Sequence, residues 1–384
     1  MTKLTPIMMG LIKSAVLGQP LSSDFEVPSE EIVGELYKLS KFHDIANIVG
    51  TSLVDNNLVK SAELREKFQK EIMLSIYREK QISAELNSIS EVLSGAGIAF
   101  MPLKGAVIRP LYAKPWLRTS CDIDILVRES ELEGAISKLT KKLGYTTDGK
   151  KNFHDVSLYS PSGVHLELHF NIKEVNDKMD PILDKVWEYS APVCEGDFEY
   201  RQSREFLIFH IFAHTVHHFS TGGCGIRPFI DLHFLTSGDY NKEALIQLCS
   251  SAGIEKFRQG AEELISAWFR GGEYTDRARS MERYVVDGGT YGTLNQGVLA
   301  EQTSSGGRKN YLLKRIFLSY DMLKIRYPKL ENRRILVPFY QVRRWVELLF
   351  GKRLGAVVKE YNRSKNITKE ESEKTKELFE SLGI

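Results

Sequence analysis

The chain has 384 residues and a formal net charge of +2, from 52 Lys and Arg against 50 Asp and Glu. Hydrophobic residues make up 42% and charged residues 27%, which are globular proportions that exclude a disordered, collagen-like or low-complexity chain. The balanced charge also excludes a globally basic nucleic-acid binder, while a local basic patch remains open.

The length suggests two or three domains. No apolar run reaches the roughly 18–20 residues that cross a bilayer, so no transmembrane segment is expected. The short apolar stretch Ile7–Ile12 is interrupted by Lys13 and is not followed by a small-residue cleavage site, so no signal peptide is expected either. Cys121, Cys194, Cys224 and Cys249 form no C-x-x-C pair. They are expected as reduced thiols in a cytoplasmic protein.

Residues 1–97 read as a helical region. Ser29 is placed as the N-cap of a helix through Leu39. Ser61 to Leu93 contains no Gly or Pro and reads as one long helix or two abutting ones, ended by Gly95 and Gly97. His43, between these helices, is expected to be structural.

Residues 98–200 change pattern. Ile98–Leu103 reads as a buried strand ended by Lys104-Gly105, followed by a helical stretch from Ala106 to Tyr112 and a loop through Pro115. Asp122–Val127 alternates as a strand. Glu131–Leu143 reads as a helix stopped by Gly144. Asp155–Tyr159 and Val164–Ile172 read as strands joined by the hairpin signal Ser160-Pro161-Ser162-Gly163. The order of elements predicts an α+β fold with a small mixed sheet.

Residues 201–384 return to helical patterns, with a Gly-rich break at Thr221–Gly225. Asp287–Arg308, rich in Gly, Ser, Thr and Gln, reads as a long mobile loop. Thr368-Lys369-Glu370-Glu371 is a capping box opening a charged helix that stops at Gly383. There are no internal repeats.

The carboxylates carry the chemistry. On a strand, positions i and i+2 share a face, so Asp122 and Asp124 project together while Ile123, Ile125 and Val127 pack oppositely. Two carboxylates that close repel unless a cation lies between them. Oxygen ligands suit a hard cation, Mg²⁺ or Mn²⁺. Glu167 shares a face with His165 and His169, and on a neighbouring strand it would complete a three-carboxylate metal site. Lys104-Gly105 ends a buried strand where a helix opens, which suits a phosphate. Arg118 could reach one as well.

With Leu103-Lys104-Gly105, Leu111-Tyr112, Arg118, Asp122–Val127, Gly144-Tyr145 and Glu167-Leu168-His169, residues 100–170 resemble the DNA polymerase beta-type nucleotidyltransferase superfamily. More narrowly they resemble a family of uncharacterised bacterial nucleotidyltransferases. Looser likeness extends to the helices around His43, to Arg227 with Asp231, and to Tyr327-Pro328 and Leu336–Pro338. The broad superfamily has Gly-Ser or Gly-Gly where this chain has Lys104-Gly105, and more often Asp where this chain has Glu167.

The resemblance implies a nucleotidyltransferase core over 98–200, flanked by the helical region 1–97 and a helical domain over 201–384. It implies transfer of a nucleoside monophosphate from an NTP, with ATP the expected donor, and release of pyrophosphate. Asp122, Asp124 and Glu167 would be catalytic and metal-binding. Lys104, Gly105 and Arg118 would bind the nucleotide. Family analogy favours a small-molecule or saccharide acceptor. The alternatives are a catalytically weak nucleotide-binding scaffold and a toxin-like enzyme nucleotidylating tRNA or protein.

Two features of the last region stay open. His210, His214 and His217 or His218 share a helix face, which reads as the lining of a cleft or ordinary packing, with zinc as the competing reading. His169, His214, Arg227 and Asp231 are pocket candidates, and Arg227 with Asp231, four apart, could pair. The segment 326–365 holds eleven Lys or Arg against three Glu. It reads as a solvated helix face, with RNA contact and a membrane surface as alternatives.

Overall fold

A computed structural model describes residues 4–290, 292–350, 364–365 and 367–384. Tyr291, within the expected loop over 287–308, and 351–363, within the basic segment 326–365, lie outside the described residues. Four helices come first: α1 (Leu4–Leu17), α2 (Glu30–Phe42), α3 (Ala46–Asp55) and α4 (Ala62–Gly95). Ser29 caps α2 through its side chain, as expected. The uninterrupted stretch after Ser61 is one helix of 34 residues, about 50 Å long at 1.5 Å per residue.

The buried positions of α4, Phe68, Ser75, Ile82, Ile89 and Leu93, recur at intervals of seven and then four. That spacing keeps one stripe inward along the whole helix. Phe68 packs in the main core, while Ile82, Ile89 and Leu93 pack against the sheet.

The sheet has four strands, β1 (Phe100–Pro102), β2 (Asp122–Val127), β3 (Asp155–Tyr159) and β4 (His165–His169), in the order β1-β2-β4-β3. β2 runs antiparallel to β1 and parallel to β4, and β3 and β4 form the expected hairpin. Alternation divides the two faces. Ile123, Ile125, Val127, Leu166 and Leu168 pack under α4 and α6 (Leu132–Leu143) in one cluster. Asp122, Asp124 and Glu167 therefore point to the other side. Gly144 closes α6 in the left-handed conformation, φ 71°.

The helical stretch after Lys104 is shorter than expected. It comprises α5 (Gly105–Ile108) and two single 3-10 turns, because Pro110 and Pro115 cannot continue a helix. The short helix α7 (Asp180–Leu183) and a two-stranded ribbon, β5 (Ser190–Pro192) with β6 (Tyr200–Gln202), follow the sheet.

Then come α8 (Arg204–Thr221), α9 (Arg227–Leu235), α10 (Lys242–Ser251), α11 (Glu255–Ile265), α12 (Asp276–Gly288), α13 (Leu294–Ser304), α14 (Arg308–Ile316), α15 (Tyr320–Arg326) and α16 (Val337–Phe350). A helix over Lys369–Leu382 opens on the expected capping box. α13 corrects the reading of 287–308 as a loop. Thr293 and Gln296 form a reciprocal capping box that starts this helix despite its Gly and Ser content.

The main hydrophobic cluster draws on all three regions of the chain. Met8, Leu53 and Phe68 share it with Met101, Leu103 and Leu126, and with Phe209, Phe212, Phe257 and Phe379. The carboxylate face of the sheet looks into a space walled by α8 and the start of α9.

Candidate active site

β2 and β4 set the site by their register. Asp124 stands opposite Glu167, and Asp122 opposite His165. Ligand atoms of Asp122, His165 and Glu167 lie within 4.8 Å of one another, as do those of Asp124, Glu167 and His169. Sequence placed Glu167 beside the aspartates only on condition that the strands were neighbours, and they are.

Lys104 enters from the end of β1. Its backbone sits at φ 41°, ψ −108°, a strained conformation for a residue with a side chain. That geometry delivers Nζ to 3.2 Å from Asp124 Oδ1. The same oxygen accepts from His169 Nε2 at 3.0 Å, and His169 lies 3.5 Å from Glu167 Oε2. His154 stacks on His169 with ring centroids 5.2 Å apart.

The charges respond accordingly. Burial works against the charged form of Asp124, but Lys104 and His169 overcome it and hold the carboxyl well below its usual range. Burial raises Asp122, and repulsion from Asp124 and Glu167 adds to the rise. Glu167 is lowered by its hydrogen bond to His169. Burial opposes the protonation of His169, yet its bonds to Asp124 and Glu167 leave it raised. Lys104 is likewise raised against burial by Asp124, Glu174 and Glu167.

Three carboxylates with one member pushed up by burial and by its neighbours make a site short of positive charge, and this donor set fits a hard divalent cation. Asp122, Asp124 and Glu167 are the residues that could hold it. His169, whose Nδ1 is buried without a partner, braces them.

Arg118, expected to reach a phosphate, lines the cavity and is also paired. Its Nε and Nη2 donate to both oxygens of Asp231, at 2.8–3.2 Å, and Tyr112 donates to Asp231 Oδ1 at 2.7 Å. All three are buried. The expected pairing of Arg227 with Asp231 is corrected. Arg227 Nη2 donates instead to Asp44 Oδ2 at 2.7 Å and to Thr119 Oγ1 at 3.0 Å. Gly105 has a reason different from close approach to a ligand. A Cβ there would lie 2.6 Å from Arg118 Nη1, so the glycine makes room for the buried arginine.

One cavity of about 370 Å³ gathers Lys104, Gly105, Arg118, Asp122, Asp124, Glu167, His169, His214 and Arg227. Asp231 lies behind it, on a second cavity of about 160 Å³ that shares Lys104, Arg118 and His214. The wall facing the sheet is α8, which contributes His210, His214, His217 and His218. Burial lowers His210 and His218 to about 3 and His214 well below its ordinary value, so these imidazoles are neutral.

His214 Nδ1 bonds Glu174 Oε1 at 2.7 Å. Among the described residues, the groups with three ligand atoms within 4.8 Å of one another both lie on the sheet, so the histidines of α8 do not form the zinc site weighed from sequence. Glu174 was missed in the sequence. It follows β4 in an irregular segment, where no periodicity marks its direction.

Residues 29–270 match the model of a family described as "uncharacterised nucleotidyltransferase", and the chain belongs to that family. No curated protein matches the chain. Among solved structures it is similar to the antibiotic-resistance factor ANT(2'')-Ia, at 13% identity over 53% of this chain and 97% of that one, with a TM-score of 0.27.

Proposed function

We propose that this nucleotidyltransferase moves a nucleoside monophosphate from an NTP, with ATP as donor, to the hydroxyl of a small molecule or saccharide, in a reaction that depends on Mg²⁺ or Mn²⁺. The single observation that carries the reading is the register that sets Glu167 beside Asp124 on one face of the sheet, with Lys104 bonded to the same aspartate.

Asp122, Asp124 and Glu167 would hold the cation. When bound, it would neutralise phosphate charge and charge developing on the attacking and leaving oxygens. Lys104 contributes fixed positive charge for the triphosphate at the end of β1. Arg118, paired with Asp231, lines the cavity beside Lys104 and adds positive charge for the phosphates. Glu167, kept ionised by His169, takes the proton of the acceptor hydroxyl. The acceptor oxygen then bonds to the α-phosphorus, the bond from that phosphorus to the β-phosphate oxygen breaks, and pyrophosphate leaves.

The wall of α8 supports an acceptor that carries hydroxyl groups. Neutral imidazoles offer hydrogen-bond donors and acceptors to hydroxyl groups without adding charge. Glu174 orients one of them, His214.

The test is to incubate the full chain with Mg²⁺ and NTPs labelled at the α-phosphate in the presence of sugars and other polyols. Transfer of label with release of pyrophosphate is expected, falling at least about 100-fold in Asp122→Asn and Glu167→Gln. Transfer that persists in both variants would contradict the assignment.

A further inference from the structure

The sequence from Arg308 to Phe350 holds eleven Lys or Arg against three Asp or Glu. It lies beyond the family match, which ends at Arg270, and the site described above uses none of it. It forms a small cluster of its own around Leu323, Tyr327 and Leu330.

The rotation of α16 is fixed by polar bonds to the end of α14 and the segment after it. Arg344 donates from Nη1 to Ile316 O at 2.9 Å, Trp345 Nε1 donates to Ile316 O at 2.8 Å, and Gln341 donates to Leu318 O at 2.6 Å. Gln341 and Arg344 are consequently buried. The opposite side of the helix faces out, and there the sequence places apolar residues. Phe339 is 64% exposed, Val342 52% and Val346 49%, spaced i, i+3, i+7 on one stripe. Ile335, in the turn before the helix, is 89% exposed.

A second stripe lies on α14 and its end, where Leu313, Ile316 and Phe317 are about half exposed. The edge contact of Phe317 with Trp345, centroids 5.4 Å apart, joins the two stripes. Exposed Lys314, Lys329, Arg333 and Arg334 belong to the same segment. A helix that buries Gln341 and Arg344 beside Val337 and Tyr340 yet turns an apolar stripe outward, within strongly basic sequence, is the arrangement of an element that lies on an anionic bilayer.

We propose that 308–350 is a docking surface for an anionic lipid membrane, with Ile335, Phe339, Val342 and Val346 entering the headgroup boundary and the surrounding cations facing the lipid phosphates. The mainly aliphatic character of the two stripes, with Phe339 and Phe317 as their aromatic members, favours hydrocarbon over RNA. Ile335, Val342, Val346, Leu313 and Ile316 cannot stack on bases, whereas hydrocarbon takes them directly. Tyr327 and Tyr340 have Arg343 over their rings.

The test is flotation of the full chain with vesicles of phosphatidylcholine alone and of phosphatidylcholine with phosphatidylglycerol at three to one. Binding to the anionic vesicles is expected at least ten-fold tighter than to the neutral ones, and weaker as salt rises. In V342E/V346E it should fall at least ten-fold, with an unchanged melting temperature. R333E/R334E keeps the apolar stripe and should lose the preference for anionic lipid. Failure of the wild type to float with anionic vesicles overturns the proposal. So does binding that both variants retain, a poly(U) complex in its place, or a dimer in solution that V342E/V346E dissolves.

Discussion

Arg118 and Asp231 show what a single residue can and cannot reveal. From sequence, Arg118 reads as a phosphate ligand because it lies four residues before Asp122, and Asp231 reads as a partner of Arg227 because they are one helical turn apart. The fold joins Arg118 to Asp231 across 113 positions, with Tyr112 as a third member. Once buried, each charge needs its own counter-charge, and proximity along the chain has no claim on which one it finds. Asp231→Ala should therefore cost about 3–5 kcal/mol, the penalty of leaving a guanidinium buried and unpaired. Denaturant unfolding measures this, and a loss under about 1 kcal/mol would mean that Arg118 finds water or another acceptor. Asp122, Asp124 and Glu167 were legible because their strand alternation is local. Glu174 was not, since only the packing of α8 against the sheet brings His214 to it.

At the level of elements, period and capping carried most of what sequence revealed. The four strands, α6 with Gly144, and the long α4 follow from alternation, a glycine stop and the absence of breakers. The ribbon of β5 and β6 escaped because three-residue strands show no period. α13 escaped because its composition resembles a loop, although Thr293-x-x-Gln296 is a readable start signal. The packing of α3 on α4 gives a sharp prediction. A Cβ on Gly50 would stand 2.7 Å from the Phe68 ring, and Phe68 is fully buried. Gly50→Ala gains roughly 1 kcal/mol of helix propensity but forces an overpacked core costing about 1–3 kcal/mol. Net destabilisation is expected, with Gly50→Val worse than Ala. A thermal midpoint that rises in Gly50→Ala would show that Phe68 can move aside.

The whole molecule is tied together around the cavity by bonds between distant regions. His43 meets Val286 O at 3.0 Å, Arg227 reaches Asp44, and Asn47 reaches the carbonyls of Trp116 and Leu117. Burial lowers His43 and His233 to about 4 and His210 and His218 to about 3. Unfolded, these imidazoles bind protons below about pH 6.5. Folded, they do not until much lower pH, so their contribution is complete above about 6.5 and is lost as pH falls towards 4. His169, raised by its carboxylates, works in the opposite sense, but burial lowers six other histidines, His154 and His214 among them. The melting temperature should drop by several degrees between about pH 7 and pH 5, and a flat profile would mean that these histidines open to water. The central claim is that the carboxylate face of the sheet binds a nucleotide together with a divalent cation. Calorimetric titration of ATP into wild type and Asp124→Ala, each with and without Mg²⁺, tests it most directly. Binding that requires Mg²⁺ and disappears in the variant is the result predicted here, and ATP binding that is indifferent to both the metal and Asp124 would contradict it.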